Sequence, residues 1–209
     1  YFENNHYHFA HSFAFDPVLN DGLRNALEKI PEQVRKKKQI LVYGRPGTER
    51  NAFNLVVAAL KKWVFMQPDI EEWEILSAGE MHRTVALGNG KELTSVGKLS
   101  IEEYANMLEE SYAGISLMCS PHPSYPPLEM SVFDVKTITN TYANKDLKDF
   151  NENIISLDNI SPMNIAKHLV EICKSYQTEV RHIAANPLYV KNDHVFDFVE
   201  DIKKILDEE

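Results

Sequence analysis

The sequence is poor in cysteine and has no long apolar run. Two of its 209 residues are cysteines, Cys119 and Cys173, and both lie in apolar-periodic surroundings. We therefore expect two reduced core thiols rather than a disulfide framework or a cysteine metal site. No apolar run reaches the roughly 18 residues of a spanning helix, and the start at Tyr1 has no signal-peptide pattern. A cytoplasmic protein is expected, and the absent initiator methionine suggests part of a longer chain.

The chain also lacks an excess of positive charge. It carries 31 acidic and 22 basic residues, for a net charge of −9. This balance argues against a general nucleic-acid surface, so any phosphate site must be local. Two common nucleotide motifs are missing as well: residues 44–47 (Gly-Arg-Pro-Gly) are not a dinucleotide fingerprint, and no Gly-Lys-Ser/Thr loop exists. A dehydrogenase or a P-loop NTPase is thus disfavoured.

What the sequence does contain is an alternation of short apolar runs with helical patterns. Because such alternation buries a parallel sheet between helices, we predict an α/β, doubly wound, Rossmann-like sheet of about six strands. The domain boundaries predicted are a connecting segment and helix over 1–38, a Rossmann-like domain over 39–176 and a helical extension over 177–209. The predicted strands are 39–43, 73–77, 93–96, 113–118, 135–139 and 154–157; the predicted helices are 17–30, 49–66, 100–112, 126–134, 161–176 and 193–206.

The most informative stretch is residues 120–130, Ser-Pro-His-Pro-Ser-Tyr-Pro-Pro-Leu-Glu-Met, which directly follows a buried strand. A Pro/Ser-rich loop and a helix opened by two prolines place unpaired backbone N–H groups and the positive end of a helix beside the carboxylate of Glu129. Such a strand–loop–helix junction can hold a nucleotide diphosphate.

The order of these segments resembles the C-terminal, donor-binding half of GT-B glycosyltransferases, especially bacterial rhamnosyltransferases. The resemblance covers roughly residues 39–176. Four segments carry it in the right order: residues 40–51 with the strand and Gly-Arg loop, 73–80 with the second strand, 96–104 with Gly-Lys-Leu-Ser-Ile-Glu-Glu, and 120–130 followed by Thr-Ile-Thr-Asn at 137–140.

The resemblance implies roles for particular residues. Arg45 and Arg50 would meet the two phosphates of the leaving group, with Lys98 as a weaker third candidate. Glu129 would accept hydrogen bonds from both ribose hydroxyls. Backbone N–H groups at Ser124, Tyr125 and Leu128 would cradle the diphosphate or the sugar. The alternatives are surface ion pairs for the arginines, an exposed charge for Lys98, and a dipole-stabilised first-turn glutamate for Glu129.

The chain departs from the family pattern at one position. Many relatives have a second glutamate eight residues before the first, where this sequence has Pro121 followed by His122. His122 is the one candidate catalytic residue: it would donate to the sugar or a phosphate, or else merely cap or pack in the loop.

Two further clusters complete the candidate sites. His6, His8 and His11 lack a ligand pattern and nearby carboxylates, so we predict no metal. Tyr142, Asn144 and Asp146 follow a strand and are candidates to line a base pocket, with Tyr142 stacking on the base or simply packing.

The resulting hypothesis is a glycosyltransferase domain that binds a nucleotide-diphosphate sugar and passes the sugar, rhamnose in the resembling subgroup, to a polysaccharide or glycan acceptor. No cofactor is implied beyond the donor substrate, whose nucleotide is expected to be deoxythymidine- or uridine-based. A second domain would hold the acceptor, so the chain alone would be inactive, and peripheral contact with the inner face of the membrane is compatible with this role. The alternatives are a non-catalytic nucleotide-binding module and an interaction domain with an empty crevice.

Overall fold

The computed structural model describes residues 17–122, 124–182, 187–191 and 198–207. The chain divides into two compact units, one made of Asn20–Asn186 and the other of Tyr1–Leu19 with Pro187–Glu209. The nucleotide-binding range predicted over 39–176 lies within the first of these units. In the second unit, the backbone N–H of Leu19 donates to the carbonyl of Tyr189 at 2.8 Å. The histidine cluster at positions 6, 8 and 11 lies outside the described residues.

The elements alternate along the chain much as the hydrophobic pattern predicts. The strands are β1 (Gln33–Arg35), β2 (Lys37–Gly44), β3 (Glu74–Gly79), β4 (Val85–Gly88), β5 (Lys91–Gly97), β6 (Ser111–Ile115), β7 (Lys136–Asn140), β8 (Ile154–Leu157) and β9 (Glu179–Arg181). The α-helices are α1 (Asp21–Leu27), α2 (Phe53–Trp63), α3 (Ile101–Glu110), α4 (Tyr125–Val132), α5 (Pro162–Lys174), α6 (Pro187–Val190) and α7 (Phe198–Asp207).

Seven strands form the central sheet, in the order β4-β5-β3-β2-β6-β7-β8. All neighbours are parallel except β4, which pairs antiparallel with β5. Counting only the parallel strands, the order is 3-2-1-4-5-6, which is that of a doubly wound dinucleotide-type sheet. The predicted fold class is confirmed. The order reverses direction between β2 and β6.

The structure corrects three details of the secondary-structure prediction. The sheet has a seventh strand, because residues 85–97 form a hairpin whose turn contains Asn89 and Gly90. The helix predicted over 49–66 is interrupted: a short 3₁₀ turn, Glu49–Asn51, ends at Ala52, whose φ of 49° is left-handed and stops helical continuation. The strand predicted over 113–118 ends at Ile115.

Helices α2 and α5 pack together on one face of the sheet. Their apolar side chains and those of the strands form one hydrophobic core. Trp63 and Trp73 are fully buried there, with their rings 6.1 Å apart in an edge-to-face arrangement. The apolar positions of α2 recur on one helical face, which is why this segment folds onto the sheet. Both cysteines are free thiols; Cys173 belongs to this core, and Cys119 is partly exposed.

A buried lysine joins the ends of two helices on the other side of the sheet. Lys36, between β1 and β2, is 1% exposed. Its Nζ donates to the carbonyl of Leu108 near the end of α3 at 3.1 Å and to the carbonyl of Phe133, the C-cap of α4, at 2.6 Å. Burial lowers the pKa of Lys36 to about 8, against the weaker opposing effect of Asp134.

Lys36 should make the protein more stable as the pH rises from 7.5 to 10. Between its folded pKa and the higher unfolded pKa, the unfolded chain holds a proton that the folded chain has released, so the free energy of unfolding increases with pH. A neutral amine still has two N–H donors for the two carbonyls. Urea unfolding should show that the free energy of unfolding of the wild type, relative to that of Lys36→Met, increases by about 2 kcal/mol from pH 7.5 to pH 10.

The exposed neighbour Lys37, which pairs with Glu110 at 2.6 Å, provides the matched control. Lys37→Met should follow the wild type at every pH. A difference between the wild type and Lys36→Met that stays constant with pH would show that Lys36 keeps its proton throughout.

Candidate functional site

The candidate site lies where the order of the sheet reverses. Strands β2 and β6 are parallel neighbours, so their carboxyl ends meet at the same edge of the sheet. From there the chain leaves β2 toward α2 on one side and β6 toward α4 on the other, which opens a crevice between the two connections. Doubly wound sheets bind ligands at such a switch point.

The connection after β2 is a tight turn held by its own backbone and by a carboxylate. Gly44 closes the strand where a side chain would not fit, since an added Cβ would lie 1.9 Å from the Ser77 hydroxyl oxygen. The N–H of Thr48 donates to the carbonyl of Arg45 at 3.0 Å, and the N–H of Gly47 donates to Oε2 of Glu80 at 3.1 Å. This turn therefore presents the Arg45 side chain from a fixed backbone.

A first cavity of about 260 Å³ lies in the crevice. Both predicted phosphate-binding arginines, Arg45 and Arg50, line it, and so do His122, Ser124 and Tyr125 from the opposite connection. The remaining lining residues are Tyr43, Asn51, Met118, Ser120 and Pro126. Two guanidinium groups thus face the start of α4 across a space large enough for a phosphate or a sugar ring.

The start of α4 offers this cavity an unused hydroxyl. Ser124 is the N-cap residue, with a φ of 69°, and its side chain makes no capping hydrogen bond. Ser124 is 3% exposed, and among the described residues its Oγ has no hydrogen-bond partner. Pro126 and Pro127, in the first turn of α4, have no N–H to donate. A buried hydroxyl without a partner is costly, so a ligand oxygen in the cavity would relieve it.

The backbone fixes which nitrogen of His122 can act on a ligand. Nδ1 accepts a hydrogen bond from the N–H of Ser124 at 3.0 Å. The neutral ring must therefore carry its proton on Nε2, which makes that atom a donor. The ring lies 5.8 Å from the ring of Tyr125, which is 44% exposed at the cavity. His122 in this state can donate a hydrogen bond to a sugar or phosphate oxygen.

A second cavity, of about 320 Å³, adjoins the first. Tyr43 and Arg45 line both cavities. The second is further lined by Lys98 on the loop after β5, by Tyr104 of α3, and by Ala78, Gly79, Leu99 and Ile101. A well-formed helix start supports this wall: Ser100 and Glu103 form the predicted capping box, with the Glu103 N–H donating to Ser100 Oγ at 3.2 Å.

Glu129 lines neither of these two cavities. Its side chain is partly buried on α4, and burial raises the pKa of its carboxyl group to about 7, although a hydrogen bond with Tyr104 opposes this shift. The partner Tyr104 lines the second cavity. The carboxylate is thus desolvated and poised to ionise near neutral pH, unlike an exposed first-turn glutamate stabilised by a helix dipole.

The structure brings together most of the predicted site residues and separates a few. Arg45, Arg50, His122, Ser124 and Tyr125 share the first cavity, and Arg45 meets Lys98 at the second. Leu128 is fully buried in α4, where its side chain belongs to the core. The three candidates for a base pocket, Tyr142, Asn144 and Asp146, are exposed and line neither cavity.

Sequence reasoning missed several residues that line the crevice, Tyr43 and Asn51 among them. Tyr43 faces both cavities from the end of β2, and its signal was a single aromatic residue closing an otherwise aliphatic strand. Asn51 is 2% exposed, lines the first cavity and donates to the carbonyl of Leu117 at 3.3 Å. A polar residue inside a helical pattern was the available signal for Asn51.

Two features are absent from the described part of the chain. No group of three or more His, Cys, Asp or Glu side chains is arranged to hold a metal ion there. None of the helices described has both the length and the apolar character needed to cross a bilayer.

Comparison with known proteins gives two likenesses of fold and one of sequence. The chain superposes on WaaG, a glycosyltransferase involved in lipopolysaccharide biosynthesis, with a TM-score of 0.53 and 11% identity over 77% of this chain and 47% of WaaG. It superposes on TarM with a TM-score of 0.51 and 11% identity over 79% of this chain and 36% of TarM. These likenesses establish the fold as one half of a GT-B fold.

A curated relative is the O-antigen biosynthesis protein RfbC of Myxococcus xanthus, 35% identical over 127 residues. The match covers 60% of this chain and 10% of RfbC, so the chain spans less than half the length of each of these three proteins. The family model of the WsaF C-terminal domain matches residues 38–170. This range holds the central sheet except Lys37, the first residue of β2, and it ends within α5. The chain belongs to the WsaF C-terminal domain family.

Proposed function

We propose that this chain is the donor-binding domain of a glycosyltransferase, and that it binds a nucleoside diphosphate sugar at the crevice between β2 and β6. One observation carries the proposal: Arg45 stands between two adjoining cavities, with Arg50 and the start of α4 on one side and Lys98 on the other. Three cations and helix-start donors around one switch point suit a diphosphate in a chain whose overall charge is −9.

The two cavities suggest how the donor lies. The nucleoside would occupy the second cavity, because Tyr104 lines it and hydrogen-bonds Glu129, the proposed ribose acceptor. The sugar would occupy the first, beside the hydroxyl of Ser124, the Nε2–H of His122 and the ring of Tyr125. The diphosphate would then lie across Arg45. In this arrangement Arg50 and His122 stabilise the charge that develops as the sugar leaves.

The acceptor would be held by a second domain. The central sheet supplies one wall of a crevice, and transfer requires an acceptor hydroxyl aligned with the departing sugar. Membership of the WsaF family and the likeness to an O-antigen biosynthesis protein support a surface polysaccharide as the product. We extend the proposal to a rhamnosyl donor carried by deoxythymidine or uridine diphosphate, and to a cytoplasmic site of action, at the membrane face where such glycans grow.

The ionisation of Glu129 gives this proposal a pH test. A carboxylate accepts hydrogen bonds from two ribose hydroxyls, whereas the protonated acid accepts less well. With a pKa of about 7, most of the Glu129 population is ionised at pH 8 and little of it at pH 6. Calorimetric titration with thymidine diphosphate and uridine diphosphate should therefore show affinity falling about tenfold from pH 8 to pH 6.

Glu129→Gln separates this effect from other titrations in the same range, including that of the ligand phosphate. The variant should bind more weakly than the wild type at pH 8 and should lack the Glu129 component of the pH dependence. Identical pH profiles for both proteins would rule out Glu129 as the ribose acceptor. If the wild type binds neither thymidine diphosphate nor uridine diphosphate at pH 8 and millimolar nucleotide concentration, the donor-binding function itself is overturned.

A further inference from the structure

The segment between β6 and the site loop is irregular in conformation yet tightly held. Residues 116–119 follow the last hydrogen-bonded pair of β6 and lead directly into the loop that carries His122 and Ser124. On the β2 side, Asn51 donates to the carbonyl of Leu117 at 3.3 Å, and the N–H of Cys119 donates to the carbonyl of Arg50 at 2.7 Å. The backbone of one phosphate-binding arginine is thereby joined to this segment.

On the β7 side, one side chain replaces a missing piece of strand. Asn140, 1% exposed at the end of β7, accepts from the Met118 N–H at 2.8 Å and donates to the Met118 carbonyl at 3.2 Å. Its amide therefore pairs with both backbone groups of Met118, as a neighbouring strand would. The side chain of Met118 lines the first cavity.

A buried lysine adds to this attachment. Lys145 is 5% exposed, and its Nζ donates to the same Met118 carbonyl at 2.6 Å. The turn that presents it is closed by two backbone hydrogen bonds between Tyr142 and Lys145, at 2.9 and 3.0 Å. Burial lowers the pKa of Lys145, as expected for an ammonium removed from water. Burying a cation is costly, and a neutral side chain could fill the same volume, so its position behind the site needs a reason beyond packing.

We propose that Lys145 and Asn140 are positioning residues of the donor site. From the β7 side, Asn140 bonds the two peptide groups that flank Met118, and Lys145 bonds the second of them. From the β2 side, Asn51 and the Arg50 carbonyl bond the same two peptide groups. This fixes the origin of the loop that places His122, Ser124 and the start of α4 against Arg45 and Arg50. The proposal rests on the proposed function for its ligand, but its structural part, the ordering of residues 118–122 and of Ser124, does not.

The test compares Lys145→Met with Lys136→Met. Lys136 is a matched control because it lies at the opposite end of β7 from Asn140, is half-buried and donates through Nζ to Asn153 Oδ1 at 2.6 Å. Asn140→Ala is the second variant, which removes the amide pairing while keeping the ammonium. Two readouts are measured for each protein: amide hydrogen exchange, and calorimetric affinity for uridine diphosphate, thymidine diphosphate and the corresponding nucleosides.

In Lys145→Met and in Asn140→Ala, the amides of Met118, Cys119 and Ser124 should exchange at least tenfold faster, while those of β2 and β3 keep the wild-type rate. Affinity for the diphosphates should fall about tenfold with nucleoside affinity unchanged, because the nucleoside cavity does not include this segment. Lys136→Met should change neither the exchange rates of these three amides nor the affinity for the diphosphates relative to the nucleosides.

Wild-type exchange rates at Met118, Cys119 and Ser124 in both variants would overturn the proposal, as would an equal loss of diphosphate and nucleoside affinity. If Lys145→Met does not fold, the exchange and affinity ratios of Asn140→Ala decide the matter. A wild-type protein that binds no diphosphate would refute the proposed function, while faster exchange confined to the loop would still establish the attachment.

Discussion

Replacing Arg45 with alanine is expected to weaken nucleoside diphosphate binding by roughly ten- to hundredfold, corresponding to about 1.5–3 kcal/mol. Arg45 lines both cavities and projects from a turn that is held by the hydrogen bond between Gly47 and Glu80. A fixed backbone would lower the ordering cost of a contact between its guanidinium and the phosphates. Affinity for the matching nucleoside should remain within a factor of about two. Calorimetry of the diphosphate and the nucleoside at low and high salt measures both effects.

Arg83→Ala is the charge-matched control. Arg83 is exposed and lines neither cavity, so this variant loses the same charge without losing a contact in the crevice. It should show at most a small, salt-screened loss. Equal losses of diphosphate and nucleoside affinity in Arg45→Ala would mean that this arginine supports the structure rather than the phosphates.

The 209-residue chain is expected to bind donor but to transfer no sugar. The sheet forms one wall of the crevice, and correct alignment of the acceptor is worth about 7–11 kcal/mol of barrier lowering in favourable cases. Without a second domain to supply that alignment, turnover should fall below detection. The measurement is product formation from thymidine diphosphate rhamnose with a panel of oligosaccharide acceptors.

The control for this experiment is donor binding in the same sample, which should be intact. The rate at which the donor is hydrolysed to free sugar should exceed the rate measured without protein by no more than a small factor. Sustained transfer to any acceptor by this chain alone would contradict the requirement for a second domain.

Much of the fold was predictable because its determinants are local. The apolar face of α2, the Ser100–Glu103 capping box and the strand-like runs each reflect short-range periodicity or backbone chemistry, and alternation then implies a parallel sheet. The departures occur where tertiary contacts or single backbone angles decide the structure. Ala52 adopts a left-handed conformation that its residue type does not predict. Strand β4 forms because its hairpin partner β5 is part of the central sheet.

The grouping of the arginines, His122 and Ser124 was predictable, because they lie in the connections that follow two strands whose carboxyl ends converge. The attachment behind the loop was not. Asn51, Asn140 and Lys145 are far apart in sequence, and their side chains meet residues 117–118 only because the strand order places β2 and β7 on either side of β6. In the segment after β7, the sequence made the exposed Tyr142 and Asp146 candidates for a base pocket. The residue that contacts the segment before the site loop is the buried Lys145 between them, which donates to the Met118 carbonyl.

The central claim is that the crevice between β2 and β6 binds a nucleoside diphosphate. The most direct test is to record amide chemical shifts of the labelled chain during titration with uridine and thymidine diphosphate. We predict saturable shifts in three segments: the turn at Gly44–Thr48, the loop and helix start at Ser124–Glu129, and the Lys98–Tyr104 segment. Shifts confined to the opposite edge of the sheet, around Lys36, Lys37 and Glu110, or no saturable shifts at all, would contradict the account.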